Sequence, residues 1–166
     1  MKTELHWITA DWPGRLAIMP RPRGGDWLED EVQAWRRAEV SGVVSLLVAD
    51  EVADLGLAEE SHLCRANGIH FTAFPIADRD VPTSREAFSA FIADIGMRLA
   101  SGETIAVHCR QGIGRAATVA ICALVAAEVE VETAVRHVSA ARGCPVPETA
   151  EQREYIAAFA KSAFLR

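Results

Sequence analysis

The chain has 166 residues, half of them hydrophobic and 24% charged, with a net charge of −6. That length suits one domain over residues 1–166, and the balance supplies a core while excluding intrinsic disorder, collagen and a disulfide mini-scaffold. The acidic excess argues against a general nucleic-acid binder or a polybasic membrane-surface protein, although fifteen of the seventeen basic residues are Arg. The four cysteines, Cys64, Cys109, Cys122 and Cys144, show neither CxxC spacing nor the density of a secreted scaffold. The opening MKTELHWITADW lacks the apolar stretch of a signal peptide. The longest apolar run, Ala116 to Ala127, falls short of the ~18 residues of a membrane span. The expectation is a soluble, cytoplasmic, reduced protein.

Short strand-like runs alternate with helical patterns, which predicts an α/β fold: a central, mostly parallel sheet of four to five strands flanked by helices. Leu5–Thr9 is a weak strand candidate, and Leu16–Met19 a stronger one. Asp26 is placed to cap a helix carrying Leu28, Val32 and Trp35 on one face. Val43–Val48 reads as a strand, the region from Glu51 to Asn67 as helical with unclear boundaries, and Ile69–Ile76 as another strand. Thr83-Ser84-Arg85-Glu86 has the form of a capping box. The helix after it sets Phe88, Phe91, Ile92, Ile95 and Leu99 at core-facing spacing, with Gly102 to stop it. Thr104–Val107 is a strand. An Ala/Val/Ile-rich helix follows Gly114, a second runs from about Val131 to Ala141, and Pro145 and Pro147 separate it from a last helix beginning near Thr149.

One segment carries chemistry: Ile105-Ala106-Val107-His108-Cys109-Arg110-Gln111-Gly112-Ile113-Gly114-Arg115. A strand enters a glycine-bearing loop, and the loop enters a helix N-terminus. Such a loop turns successive main-chain N–H groups inward, and the helix dipole reinforces the resulting anion cradle. Cys109 would sit in that positive field, where thiols ionise below their free pKa of about 8.5. Arg115 can offer a planar fork to two phosphate oxygens, which Lys could not. Nucleophile, amide cradle and Arg clamp together describe phosphoryl transfer onto sulfur. The bland alternative, a small buried hydrophobe before a core helix, fits Cys122 better than Cys109. A Walker-type loop is excluded because its Lys-Ser/Thr is missing, and no second ligand pair accompanies His108 and Cys109 for zinc.

His108-Cys109 through Arg115 resembles the His-Cys-x5-Arg signature of the cysteine-dependent protein tyrosine phosphatase superfamily. The form Cys-x-x-Gly-x-Gly-Arg is similar to its dual-specificity branch and the small bacterial and archaeal relatives. Upstream, Phe74-Pro75-Ile76-Ala77-Asp78-Arg79-Asp80-Val81-Pro82 resembles the mobile general-acid loop. Val43–Glu51 is similar to the family's strand ending in an acidic turn, and Pro147–Gln152 is a further match of lower specificity.

The resemblance implies a metal-independent and cofactor-free phosphatase acting through phosphocysteine on phosphotyrosine, with phosphoserine and phosphothreonine as further substrates. Cys109 would attack phosphorus, while the main-chain N–H groups of Arg110, Gln111, Gly112, Ile113, Gly114 and Arg115, with the Arg115 guanidinium, would hold the equatorial oxygens. Asp78, matching the family's Pro-x-x-Asp position, would protonate the leaving group; Asp80 competes. His108 would orient the loop. Gln152 either steers the hydrolytic water, as in some relatives, or closes a capping box with Thr149. Arg110 and Gln111 would shape the pocket mouth, or Arg110 is simply solvated. The Trp-rich N-terminus either walls the cleft or packs over the sheet edge. Cys64 or Cys144 would pair with an oxidised Cys109, as in some family members, or be inert thiols. The chain departs from most relatives at Ala116, where they carry Ser or Thr.

Other readings stay open. The same machinery could take an inositol phosphate, a phosphoinositide or an RNA 5′ phosphate. A sulfurtransferase or arsenate reductase also uses Cys and Arg in an anion loop, against which the double-glycine loop and the upstream Asp loop argue. A phosphoprotein-binding module would keep the cradle and turn over slowly. The partners expected are a phosphorylated protein or small phosphomonoester, with no nucleic acid and no membrane span.

Overall fold

Five short strands are consecutive in space in an order that sends the chain back and forth across the sheet. The computed structural model describes residues 3–164. The strands are β1 (His6–Ile8), β2 (Arg15–Met19), β3 (Gly42–Ser45), β4 (His70–Ala73) and β5 (Thr104–His108), and they lie in the order β1-β2-β5-β3-β4. Only β1 pairs antiparallel, on β2; the β2–β5, β5–β3 and β3–β4 ladders are parallel. This is the α/β sheet that the sequence predicts, with β5 at its centre.

Period-2 alternation divides the strand residues between two helical layers. Leu16, Ile18, Val44, Ile105 and Val107 enter one core, with α4 (Arg85–Ala100), α5 (Arg115–Ala126), α6 (Val131–Arg142) and α7 (Ala150–Phe164) above it. Ala17, Met19, Val43 and Ala106 enter the other, under α1 (Leu28–Arg37) and α3 (Glu60–Ala66). Between β3 and α3 lies the short α2 (Ala49–Asp54). The helical stretch read as 51–67 is therefore two helices. Helix α5 is buried almost all round, which is why its sequence is apolar without periodicity.

Two capping expectations are corrected. Asp26 lies inside a 3-10 turn, Gly25–Trp27, so α1 starts at Leu28 with no side-chain cap. At α4 the cap is Ser84, whose hydroxyl accepts from the Ala87 N–H at 3.1 Å. Glu86 is then the second helical residue, too close to reach back, and no box forms. The box between Thr149 and Gln152 does form: Thr149 N–H donates to Gln152 Oε1 (3.2 Å) and Gln152 N–H to Thr149 Oγ1 (3.1 Å).

Two strands are shorter than read. Strand β3 stops at Ser45 and β4 at Ala73, although pairing continues irregularly. Phe74 N–H reaches Ser45 O and Ile76 N–H reaches Leu46 O, while Pro75 between them has no N–H to give. This irregular ladder carries the chain to the carboxyl end of β5, where the sequence places its chemistry. No helix among the described residues is long and apolar enough to cross a membrane.

Candidate active site

Alternation along β5 sends His108 and Cys109 to opposite faces of the sheet. The His108 ring is fully buried between Glu60 (Nε2–Oε1 2.6 Å) and the Cys109 carbonyl (Nδ1–O 3.2 Å). It thus ties the base of the loop to α3. Cys109 is the first residue of the loop and faces the other layer, at the floor of a cleft.

Loop carbonyls are tied outward. Arg21 N–H donates to the Arg110 carbonyl and Arg142 Nη2 to the Gln111 carbonyl, both at 3.1 Å. Across a trans peptide the N–H points opposite to the C=O, so those of Gln111 and Gly112 turn inward. Gly112 N–H accordingly donates to Cys109 Sγ at 3.2 Å. Gly112 has φ 76°, and a Cβ there would lie 2.8 Å from the Met19 carbonyl carbon. Gly114 is closed to side chains for a different reason: its Cβ would lie 2.7 Å from Glu148 Oε1 and 2.9 Å from Gln152 Nε2. Ile113 between them packs half-buried against the core.

Arg115, the first residue of α5, is buried, and both of its terminal nitrogens are engaged. Its fork grips Glu51 on both oxygens (2.7 and 2.9 Å), Nη1 also donates to the Ile76 carbonyl (2.8 Å), and Nη2 to Asp78 Oδ1 (3.0 Å). Burial alone would favour the neutral guanidine. The bond to Glu51 and the negative charges of Cys109, Glu51 and Asp78 outweigh it and raise the pKa above its ordinary value. Burial likewise pushes the Glu51 carboxyl up, but bonds from Arg115 and the Val48 N–H, with the charges of Arg115 and Arg110, hold it below the usual range. Glu51 therefore closes the start of α2 and fixes the Arg115 plane at once. Arg110, half-exposed on the rim, lies 3.6 Å from the same carboxylate, and Gln111 is exposed beside it.

The segment after β4 forms a turn, Asp80 N–H donating to the Ala77 carbonyl at 3.0 Å, with Arg79 at φ 62°. The turn aims Asp78 at Arg115 and into the cleft. Asp80 faces away: its Oδ1 accepts its own neighbour's N–H, that of Val81, at 2.7 Å. Geometry thus separates the two aspartates that the sequence left in competition. The cleft holds about 70 Å³ and is lined by Asp78, Arg79, Cys109, Arg110, Gln111, Gly114, Arg115 and Glu148.

Gln152 is fully buried beside the loop, its Oε1 accepting from the Thr149 N–H and its Nε2 donating to the Asp80 carbonyl (3.3 Å). Ala116 is buried at the start of α5. The nearby hydroxyl of Thr118 donates to the Gly114 carbonyl (2.9 Å) rather than toward Cys109. None of the tryptophans lines the cleft: Trp35 is in the core under α1 and α3, Trp12 packs against the core of the other layer, Trp7 lies under Arg15 and Trp27 under Arg23. Cys64 sits in the opposite layer from Cys109, and Cys144 is half-buried.

Four partners escaped the sequence reading. Glu51 was visible only as an acidic turn, and Glu60, 48 residues from His108, carried no local signal. Glu148 lay unmarked within the Pro147–Gln152 match, and Arg79 unmarked beside Asp78.

Sheet order, loop and Arg clamp define a cysteine-type phosphatase of the dual-specificity superfamily. The chain belongs to the PTP-SAK family, the Swiss Army Knife protein DSP-PTPase phosphatase domain, whose model matches residues 3–163. Among solved structures it is similar to a kinase-associated phosphatase whose catalytic-site cysteine is replaced by serine, with TM-score 0.90, 16% identity, and coverage of 100% of this chain and 98% of that one. It is also similar to Tk-PTP (TM-score 0.73, 23% identity, 89% and 92% covered) and to PTPMT1 in complex with PI(5)P (0.75, 18%, 91% and 93%). At these identities the likeness is one of fold. Comparison with curated proteins found no match.

Proposed function

We propose that this phosphatase hydrolyses phosphomonoesters, phosphorylated protein side chains among them, through a phosphocysteine intermediate and without a metal. The observation that carries the reading is convergence: Cys109 and the Arg115 fork, at the two ends of one loop, meet Asp78 from the turn after β4 in one small cleft.

In the first step the Cys109 thiolate attacks phosphorus, the S–P bond forms and the P–O bond to the alcohol breaks. Asp78, displaced from Arg115 by the incoming phosphate and in its acid form, gives its proton to the leaving oxygen. The inward N–H groups of residues 110–115 and the Arg115 guanidinium stabilise the charge gathering on the equatorial oxygens, in geometry fixed beforehand by Glu51. In the second step Asp78, now a carboxylate, takes a proton from water; the water oxygen bonds to phosphorus, and the S–P bond breaks to return the thiolate. His108 holds the loop's base from the far face of the sheet and takes no part in proton transfer.

Phosphate release across phosphopeptides, inositol phosphates, phosphoinositides and RNA 5′ ends tests the reading. Cys109→Ser should abolish turnover on every substrate, vanadate should inhibit, and EDTA should have no effect. General acid catalysis contributes about 10²–10⁴ in rate. Asp78→Asn should therefore cost kcat in that range on an alkyl ester and far less on an activated aryl ester, with Asp80→Asn nearly silent. Turnover that survives Cys109→Ser, or that needs a divalent ion, would overturn the mechanism.

A further inference from the structure

Arg79 occupies an awkward place in the chain. Among the described residues three non-glycine side chains have positive φ. Glu39 and Glu128 do so just past the ends of α1 and α5, where chains commonly turn left-handed. Arg79 does so as the third residue of the Ala77–Asp80 turn, a position where positive φ favours glycine. Something other than backbone preference must recommend an arginine there.

What it gains is a partner across the cleft. Arg79 Nη1 donates to Glu148 Oε2 at 3.1 Å, and both residues line the cleft with Cys109 and Asp78. Glu148 precedes α7, on the wall opposite the turn. From the same wall Gln152 Nε2 donates to the Asp80 carbonyl. The two bonds hold the two residues that follow Asp78, 79 and 80, against that wall, while Asp78 itself rests on Arg115. Glu148 Oε1 also lies beside Gly114, 2.7 Å from where a Cβ there would stand, so its carboxylate borders the cradle.

We propose that the Arg79–Glu148 pair is a latch that holds the turn closed over the cleft, making both side chains positioning residues for Asp78. The proposal rests on Asp78 being the general acid. The side chains are 63% and 20% exposed, so the pair adds little to global stability. Its effect falls on the population of the closed turn, and hence on the step that needs a proton.

Arg79→Gly deletes the latch without straining the turn, because glycine adopts the positive φ freely. Glu148→Gln removes the charge from the other side and leaves the backbone alone. The readout is the ratio of kcat on 4-nitrophenyl phosphate, whose leaving group needs little protonation, to kcat on an alkyl phosphate. Each single variant should raise this ratio about threefold to fivefold, the size of an exposed ion pair, with KM moved less than kcat. The double variant should raise it no further, since each single already breaks the one contact. A glycine variant as good as the wild type on the alkyl ester would make Arg79 a turn residue only. Additive effects in the double variant would equally sink the latch. Asp78→Asn, run alongside, separates the failures: if it raises the ratio and Arg79→Gly does not, the latch alone falls. If Asp78→Asn leaves the ratio unmoved, the acid assignment falls and the latch with it.

Discussion

Ala116 is where this chain lacks a hydroxyl that most relatives of the resembled family carry. In most relatives a hydroxyl after the signature Arg bonds to the cysteine sulfur and helps it leave phosphocysteine. Here the sulfur's donor is the Gly112 N–H, and the Thr118 hydroxyl is held by the Gly114 carbonyl. A hydrogen bond to a charged group is worth about 1.5–3 kcal/mol, hence roughly ten- to a hundredfold in the second step. The expected behaviour is a burst of alcohol release followed by slow turnover, and a faster steady state in Ala116→Ser. Rapid-quench kinetics on both proteins with an aryl phosphate would decide it. A wild type with no burst and a serine variant no faster would remove the idea.

At the scale of elements, α2 matters beyond its six residues because Glu51 joins its N-terminus to the Arg115 fork. The folded Glu51 pKa is depressed below its ordinary 4.5. A depressed carboxylate contributes stability that is full above the unfolded pKa and lost as pH falls through the folded one. Removing one member of a buried pair costs about 3–5 kcal/mol, because the charge left behind has no partner. Glu51→Gln should therefore melt well below the wild type at pH 7, and the gap should narrow as pH drops below 4.5. Thermal melts of both proteins across that range check the sign: a gap that widens on acidification would show that Glu51 does not act as a buried anion. Asp78 and the Ile76 carbonyl remain on Arg115 in the variant, so the fork should be loosened rather than lost.

For the whole molecule the sheet is a partition that decides which thiols can react. Cys64 lies in the layer under α1 and α3, where burial and then the Glu60 charge push its pKa up to about 12. Burial raises Cys122 as well, inside α5. Cys109, on the other face from Cys64, lines the open cleft. Iodoacetamide at neutral pH should therefore label Cys109 in the folded protein and spare Cys64 and Cys122, with vanadate protecting. Denaturant should open all three. Peptide mapping after a short exposure reads this directly, and early labelling of Cys64 would contradict the partition. The same partition puts Cys144 and the buried Cys122, not Cys64, on the same side of the sheet as Cys109.

How much of this was legible beforehand depends on how local each feature is. The strands, the apolar α5 and the loop from Cys109 to Arg115 were readable because their determinants are neighbours in the chain: alternation, glycines at fixed offsets, and a helix start. Even there the ends moved where a local rule had competitors, as Pro75 truncated β4 and Ser84 displaced the expected cap box. The charged partners were not readable. Glu51, Glu60 and Glu148 lie 64, 48 and 69 residues from the Arg115, His108 and Arg79 they hold. In sequence each is one glutamate among many, because an ion pair is specified by where two elements stop, not by spacing along either. Sequence alone pointed to a cysteine-type phosphatase, since the whole signature from Cys109 to Arg115 fits within seven residues. Only the tertiary structure decided which aspartate faces that chemistry, which carboxylate fixes the clamp, and that Gln152 is tied into a helix cap. Those choices depend on sheet order and on packing between distant elements, which act through space.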